Sequence, residues 1–220
     1  MHLNTRRLRQ IIREELQGEQ LLREAAKGIS DMQNEELRIV VEDSGDGKLI
    51  ELRTSDDSTI GHVQIAEHDE DLGQCYGAWM IESTKVEDVA SGFGPLLYDI
   101  AIEITGNAGL MADRWSVSAD ALKVWEFYLK RRGHEFEFRQ LDMLQDLLAA
   151  NSMDGPNPGE QITPNDPSDD CDSDAALGWA IRQGTRWDTH PLNYVARRPG
   201  GATPTLNTLK KLNLIHFEQT

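Results

Sequence analysis

The chain has 220 residues, 39% of them hydrophobic, and sets 22 Lys and Arg against 38 Asp and Glu for a net charge of −16. That length supports one good core with appendages, and the modest apolar share implies that part of the chain stays outside it. A surface of this sign repels phosphate backbones, which argues against a nucleic-acid partner. No apolar run approaches the roughly 18–20 residues of a membrane span, and charges interrupt every apolar stretch near the N-terminus, unlike a secretory signal. Cys75 and Cys171 stand far apart and form neither a zinc spacing nor a disulfide framework. A soluble, cytoplasmic protein in a reducing compartment, with no membrane partner, is therefore the expectation.

Residues 5–27 read as an amphipathic helix, with Leu8, Ile11, Ile12 and Leu16 at helical spacing and Arg6, Arg7, Arg9 and Arg13 on the remaining surface. Gly28 reads as its stop. The helix either docks a protein partner or folds back on its own domain. Residues 1–36 are taken as this helix plus a linker, and 37–220 as the main domain.

Four strands are expected next, at Leu37–Val41, Leu49–Thr54, Ile60–Ala66 and Gly77–Thr84, with a turn signal at Asp43–Gly47. A glycine-bearing turn at 92–94 leads into a helix from Pro95 to about Thr105. A strand at Leu110–Val117, a helix from Asp120 to about Arg131 and a strand at His134–Leu141 follow. Antiparallel strands, then strand–helix–strand–helix–strand, make an α/β (α+β) layout with a mixed, mostly antiparallel sheet flanked by helices.

Residues 151–174 carry seven carboxylates, four of the eight prolines and no Lys or Arg. They read as the centre of an acidic, exposed insertion spanning about 142–190. Pro191–Arg198 reads as the last strand. A helix starting at Thr203-Pro204 then turns Leu206, Leu209 and Leu212 inward.

The stretch Val89-Ala90-Ser91-Gly92-Phe93-Gly94-Pro95-Leu96 lies between a strand and a helix. Glycines let a ligand approach the backbone, and the first helical turn offers unpaired N–H groups, which suits a pyrophosphate. The same turn also serves many proteins merely for tight packing. Other candidates also have two readings. Tyr128 is either a proton donor or part of the core stripe Val124, Trp125, Tyr128 and Leu129. Glu82 is a carboxylate base or a solvent-facing strand residue. His62 and His134 are further bases or structural histidines. Asp113 and Arg114 form a local pair or face a groove, the local pair being preferred. The Asp-rich run at 166–174 reads as a solvated loop rather than a metal site. Trp179, Trp187 and His190 read as a small core of the insertion rather than a lid.

Residues 89–94 resemble the Arg/Gln-x-x-Gly-x-Gly/Ala signature of the GNAT superfamily of acyl-CoA N-acyltransferases. The family's loop also sits between its fourth strand and the helix that follows. Phe127-Tyr128, Gly133 and Phe136 match later landmarks of the family. "GFGPLLYDIAIEI" and "GLMADRWSVSADALKVWEFY" look like GNAT-like proteins encoded by tailed bacteriophages. The resemblance covers Gly77 to Phe136 well and the earlier strands loosely. It implies acetyl-CoA as co-substrate, no metal, and transfer of an acetyl group to an amine of a protein or small molecule.

The resemblance further implies a cofactor loop of Val89, Ala90, Ser91, Gly92, Phe93, Gly94 and Leu96. Tyr128 would be the acid that protonates the departing thiolate, with Glu82 as the base. Val89 stands where the family has Arg or Gln, Ala121 where it has Asn, and the spacing from Tyr128 to Gly133 is one residue long. Val89 and Ala121 favour a rival reading, a non-catalytic GNAT-fold interaction or virion-associated phage protein, while the Gly92-Phe93-Gly94 turn and Tyr128 favour the enzyme. A third reading, an acidic inhibitor mimicking nucleic acid, rests on the net charge alone.

Overall fold

A computed structural model describes residues 26–68, 72–141, 168–169, 171–186 and 189–218. The expected helix over 5–27 lies almost wholly outside these residues. Gly28 is not a helix stop but a helix start: its N–H donates to the Asp31 carboxylate at 2.7 Å. Helix α1 (Ile29–Asn34) then buries Met32 in the core, so this stretch is no linker.

Three hairpin-linked strands follow: β1 (Arg38–Ser44), β2 (Gly47–Arg53) and β3 (Thr59–Glu67). β4 (Trp79–Val86) completes an antiparallel meander. Their apolar residues alternate, so Ile39, Val41, Ile50, Leu52, Val63 and Ile65 line one face of the sheet. Helix α2 (Gly94–Thr105) covers that face with Leu97, Ile100 and Ala101, all buried. β5 (Leu110–Met111) runs parallel to β4, and helix α3 (Ala119–Arg131) follows it. β6 (Glu137–Gln140), helix α4 (Asp174–Gln183), β7 (Tyr194–Arg197), helix α5 (Pro204–Lys211) and β8 (Ile215–Glu218) complete the described elements.

The described strands form one sheet in the order β6-β7-β5-β4-β3-β2-β1-β8. β8 was not expected, and β7 is not the last strand. Asn213, with φ 59°, reverses the chain after α5 so that β8 lies parallel to β1, pairing Ile39 with Ile215. That reversal leaves Leu212 38% exposed instead of inward, while Leu206 and Leu209 pack as expected. α5 is fastened from a distance. The fully buried Glu103 carboxylate accepts the N–H groups of Thr205 and Leu206 at 3.1 and 2.8 Å, and Arg198 Nε at 3.1 Å.

The other face of the sheet carries a second, smaller core of Leu72, Cys75, Ala78, Met80, Met111, Leu141, Cys171 and Val195. At its centre Cys75 and Cys171 are joined by a disulfide across 96 residues, with Cα atoms 4.6 Å apart. This corrects the expectation of unpaired cysteines, and with it the argument from cysteine usage for a reducing compartment. Sequence spacing carries no trace of a pair that only the sheet brings together. Among the described residues no helix is long and apolar enough to cross a membrane.

The end of the acidic run is also not a solvated loop. Asp169, Cys171 and Ser173 are buried, and α4 packs Ala175, Ala176 and Ala180 into the main core. Trp179 donates its Nε1–H to the Val117 carbonyl at 2.9 Å, so α4 shares the main core instead of building its own. Residues 151–167 and Trp187 lie outside the described residues.

Candidate active site

The site begins with a disagreement between two strands. β5 was expected to run from Leu110 to Val117 but ends after Met111. The Asp113 carboxylate accepts the N–H groups of Trp115 and Ser116 at 2.8 and 3.3 Å, which curls the chain out of the sheet.

Arg114 is not paired with Asp113; it turns inward and is completely buried. Its guanidinium donates to the carbonyls of Asp172, Leu192 and Cys171 and to Asn193 Oδ1, at 2.7–3.2 Å. Burial pulls it down to about 9, so it stays charged at neutral pH. It clamps the chain on either side of α4 to the end of β5.

Because β5 stops, only Trp79 and Met80 of β4 pair with it. The rest of β4, Ile81–Val86, has no strand partner on that side among the described residues. A gap opens along this edge.

A bulge re-aims β4 within the gap. Gln64 faces Ser83 but Ile65 faces Ile81, so Glu82 is an inserted residue without a partner on β3. The bulge shifts the inward set from odd to even positions. Trp79 and Ile81 face the main core before it, and Val86 does so after it. Thr84, in the same phase as Val86, meets the Tyr98 hydroxyl of α2. Glu82 is exposed on the opposite face, where Gln64 Nε2 donates to its carboxylate at 2.6 Å. His62 lies within 3.4 Å of Ser83 Oγ, and His134 sits exposed near Glu135.

Two cavities occupy the gap. The larger, about 570 Å³, runs from Thr84–Asp88 over Ser91, Gly92, Gly94 and Pro95 to Ser118, Ala121, Val124 and Phe127 on the α3 side. The smaller, about 230 Å³, is lined by Ile81–Thr84, Asp113, Ser116–Ser118 and Trp125. Both include Thr84, Tyr98, Ser118 and Ala121, so they meet there.

The glycine turn forms one wall. Gly92 has φ 96°, a left-handed conformation that suits glycine, and its carbonyl accepts the Lys27 N–H at 2.9 Å. Phe93 at the N-cap supplies no side-chain cap to α2. The N–H groups of Gly94 and Leu96 have no acceptor within the helix, and the helix dipole adds positive potential. A Cβ at Gly94 would meet nothing within 4 Å, so this residue fronts open space. The charged rim is mixed: Lys85 and Lys123 are paired with Glu87 and Asp120.

The expected loop residues therefore divide. Ser91, Gly92 and Gly94 line the cavity, whereas Ala90, Phe93 and Leu96 bury their side chains in the core and Val89 is 64% exposed. Tyr128 does not line either cavity. It is fully buried, with its hydroxyl 2.5 Å from the Asp99 carboxylate and 2.9 Å from the Pro95 carbonyl, and Arg132 donates to the same carboxylate at 2.7 Å. Burial, then the Asp99 charge, pushes its phenol well above the ordinary tyrosine range. The stripe Trp125 and Tyr128 is core, as one of its two readings had it.

Tyr98 was missed. Its spacing on α2 marks it as a core residue, and nothing local distinguishes it. Among the described residues no group of three His, Cys, Asp or Glu side chains is arranged to hold a metal ion. Compared with protein-family models, curated proteins and solved structures, the chain matches none.

Proposed function

We propose that the chain has a GNAT-like fold and is an N-acetyltransferase that moves an acetyl group from acetyl-CoA to an amine of a protein or small molecule. The observation that carries this reading is the parting of β4 from β5 with the uncapped start of α2 at one end of the gap. A pyrophosphate would sit on the N–H groups at Gly92–Gly94, which need no basic side chain to bind it. The pantetheine arm would run along the unpaired β4 edge, where backbone amides stand ready for its own and for the thioester carbonyl. The thioester would then reach the junction of the two cavities, and the amine would enter through the smaller one.

Glu82 fits the base of this scheme: it lines the smaller cavity and can take the proton that the attacking ammonium must lose. The strand–turn–helix context of residues 89–94 and the order of elements that follow it also support the family reading. A non-catalytic interaction or virion-associated role remains the rival. It draws on the outward-facing Val89 and on the sealed hydroxyl of Tyr128.

Thermal melting with and without CoA tests the reading. A ligand at 100 times its Kd stabilises the fold by about 2.7 kcal/mol, or roughly 5–10 °C in Tm. Gly94→Asp should abolish that shift without harming the fold, because the new side chain has room and a carboxylate favours a helix N-terminus. No shift with millimolar CoA in the parent protein would sink the proposal and favour the non-catalytic role.

A further inference from the structure

We propose that Tyr98, not Tyr128, is the catalytic residue that protonates the leaving thiolate, an assignment resting on the acyl-CoA reading above. Tyr98 lines both cavities at the point where they meet, on the side of the gap facing β4. Its ring is held edge-on against Trp125 at 5.8 Å and tilted against Tyr128 at 6.5 Å, which fixes its aim. Only 3% of the residue is exposed, and Thr84, beyond the bulge, lines both cavities with it. Tyr128, by contrast, lines neither cavity and has its one proton committed to Asp99 or the Pro95 carbonyl.

The step balances as follows. The neutral amine nitrogen attacks the thioester carbonyl carbon, forming the C–N bond. As the tetrahedral intermediate collapses, the C–S bond breaks and its electron pair goes to sulfur, which takes the Tyr98 hydroxyl proton. The proton released by the nitrogen returns to the tyrosinate through water, leaving an acetamide and free CoA thiol. Burial raises the Tyr98 phenol above its ordinary range, so it is protonated throughout neutral pH, and the Thr84 hydroxyl can donate to the transient tyrosinate.

The test uses the full chain, Tyr98→Phe and Tyr128→Phe, with acetyl-CoA and three amine probes: spermidine, an aminoglycoside and a lysine-containing peptide. Free thiol is measured, and where no amine is acetylated the slow hydrolysis of acetyl-CoA is followed, since it expels the same leaving group. Tyr98→Phe is expected to keep the CoA-induced melting shift while thiol release falls 10²–10³-fold. Tyr128→Phe is expected to stay within about threefold of the parent and to melt earlier.

A second readout isolates proton donation. With an acetyl thioester of nitrothiophenol, whose thiolate leaves without a proton, the Tyr98→Phe defect should shrink to a few-fold, which a packing defect would not do. Near-normal thiol release by Tyr98→Phe, or an equal defect with both thioesters, overturns the assignment while leaving the acyl-CoA reading intact. Absence of any CoA-induced shift in the parent protein overturns both.

Discussion

Removing the bond between Cys75 and Cys171 frees a loop of 96 residues that contains β4, α2, β5, α3 and β6. In the chain-entropy description, closing a loop of that length in the unfolded chain stabilises the folded state by about 4.7 kcal/mol at 25 °C, and measured values more often fall near 2–4 kcal/mol. For a protein of this size that corresponds to a fall in Tm of roughly 5–15 °C. The native state should survive the loss. Arg114 still holds the Cys171 carbonyl, and Leu72, Met111 and Val195 still pack with both residues in the smaller core. The assay compares melting of oxidised protein, protein reduced with dithiothreitol, and the Cys75→Ala/Cys171→Ala variant, alongside a thiol count in denaturant. Oxidised protein should show no free thiol, and the reduced and variant forms should melt together at the lower temperature. Two thiols per chain after exposure to oxidised glutathione, or identical melting with and without reductant, would refute the reasoning.

Two other outcomes follow from buried polar groups. Glu103→Gln should destabilise the fold by about 2–3 kcal/mol, because the amide cannot accept from Arg198 and from two backbone N–H groups as the carboxylate does. An unfolding free energy from urea titration within about 0.5 kcal/mol of the parent's, the scatter of a surface substitution, would contradict the α5 tie. His190 is buried, its Nε2 has no hydrogen-bond partner among the described residues, and burial lowers it to about 4. The unfolded chain therefore takes up this proton first as pH falls below about 6.5, so stability is lost between about 6.5 and 4. The loss from this group is about 2 kcal/mol by pH 5, and His190→Gln should flatten the urea-midpoint profile across that window.

Much of the fold was written locally. Alternating Val, Ile and Leu placed β1–β4 within a few residues of their observed ends, and the Thr203-Pro204 start gave α5. The glycine turn before α2 was likewise visible, because its backbone freedom and its helix start are properties of adjacent residues. Local pattern failed where the answer depended on segments remote in the chain. The strand expected to Val117 looked sound until Asp113 and Arg114 found their partners, one in the next turn and the other 57–79 residues away. Cys75 met Cys171, and the C-terminal β8 met β1 at the opposite end of the sequence, only through the sheet. The candidate site itself belongs to this second class. The sequence singled out Tyr128 through its match to the family and passed over Tyr98 on the neighbouring helix. Which of them faces the gap was decided by the truncation of β5, the bulge at Glu82 and the buried Asp99–Arg132 pair that engages the hydroxyl of Tyr128. Periodicity reports which face of an element is apolar; it carries no information about which opening in the packed structure that face will border.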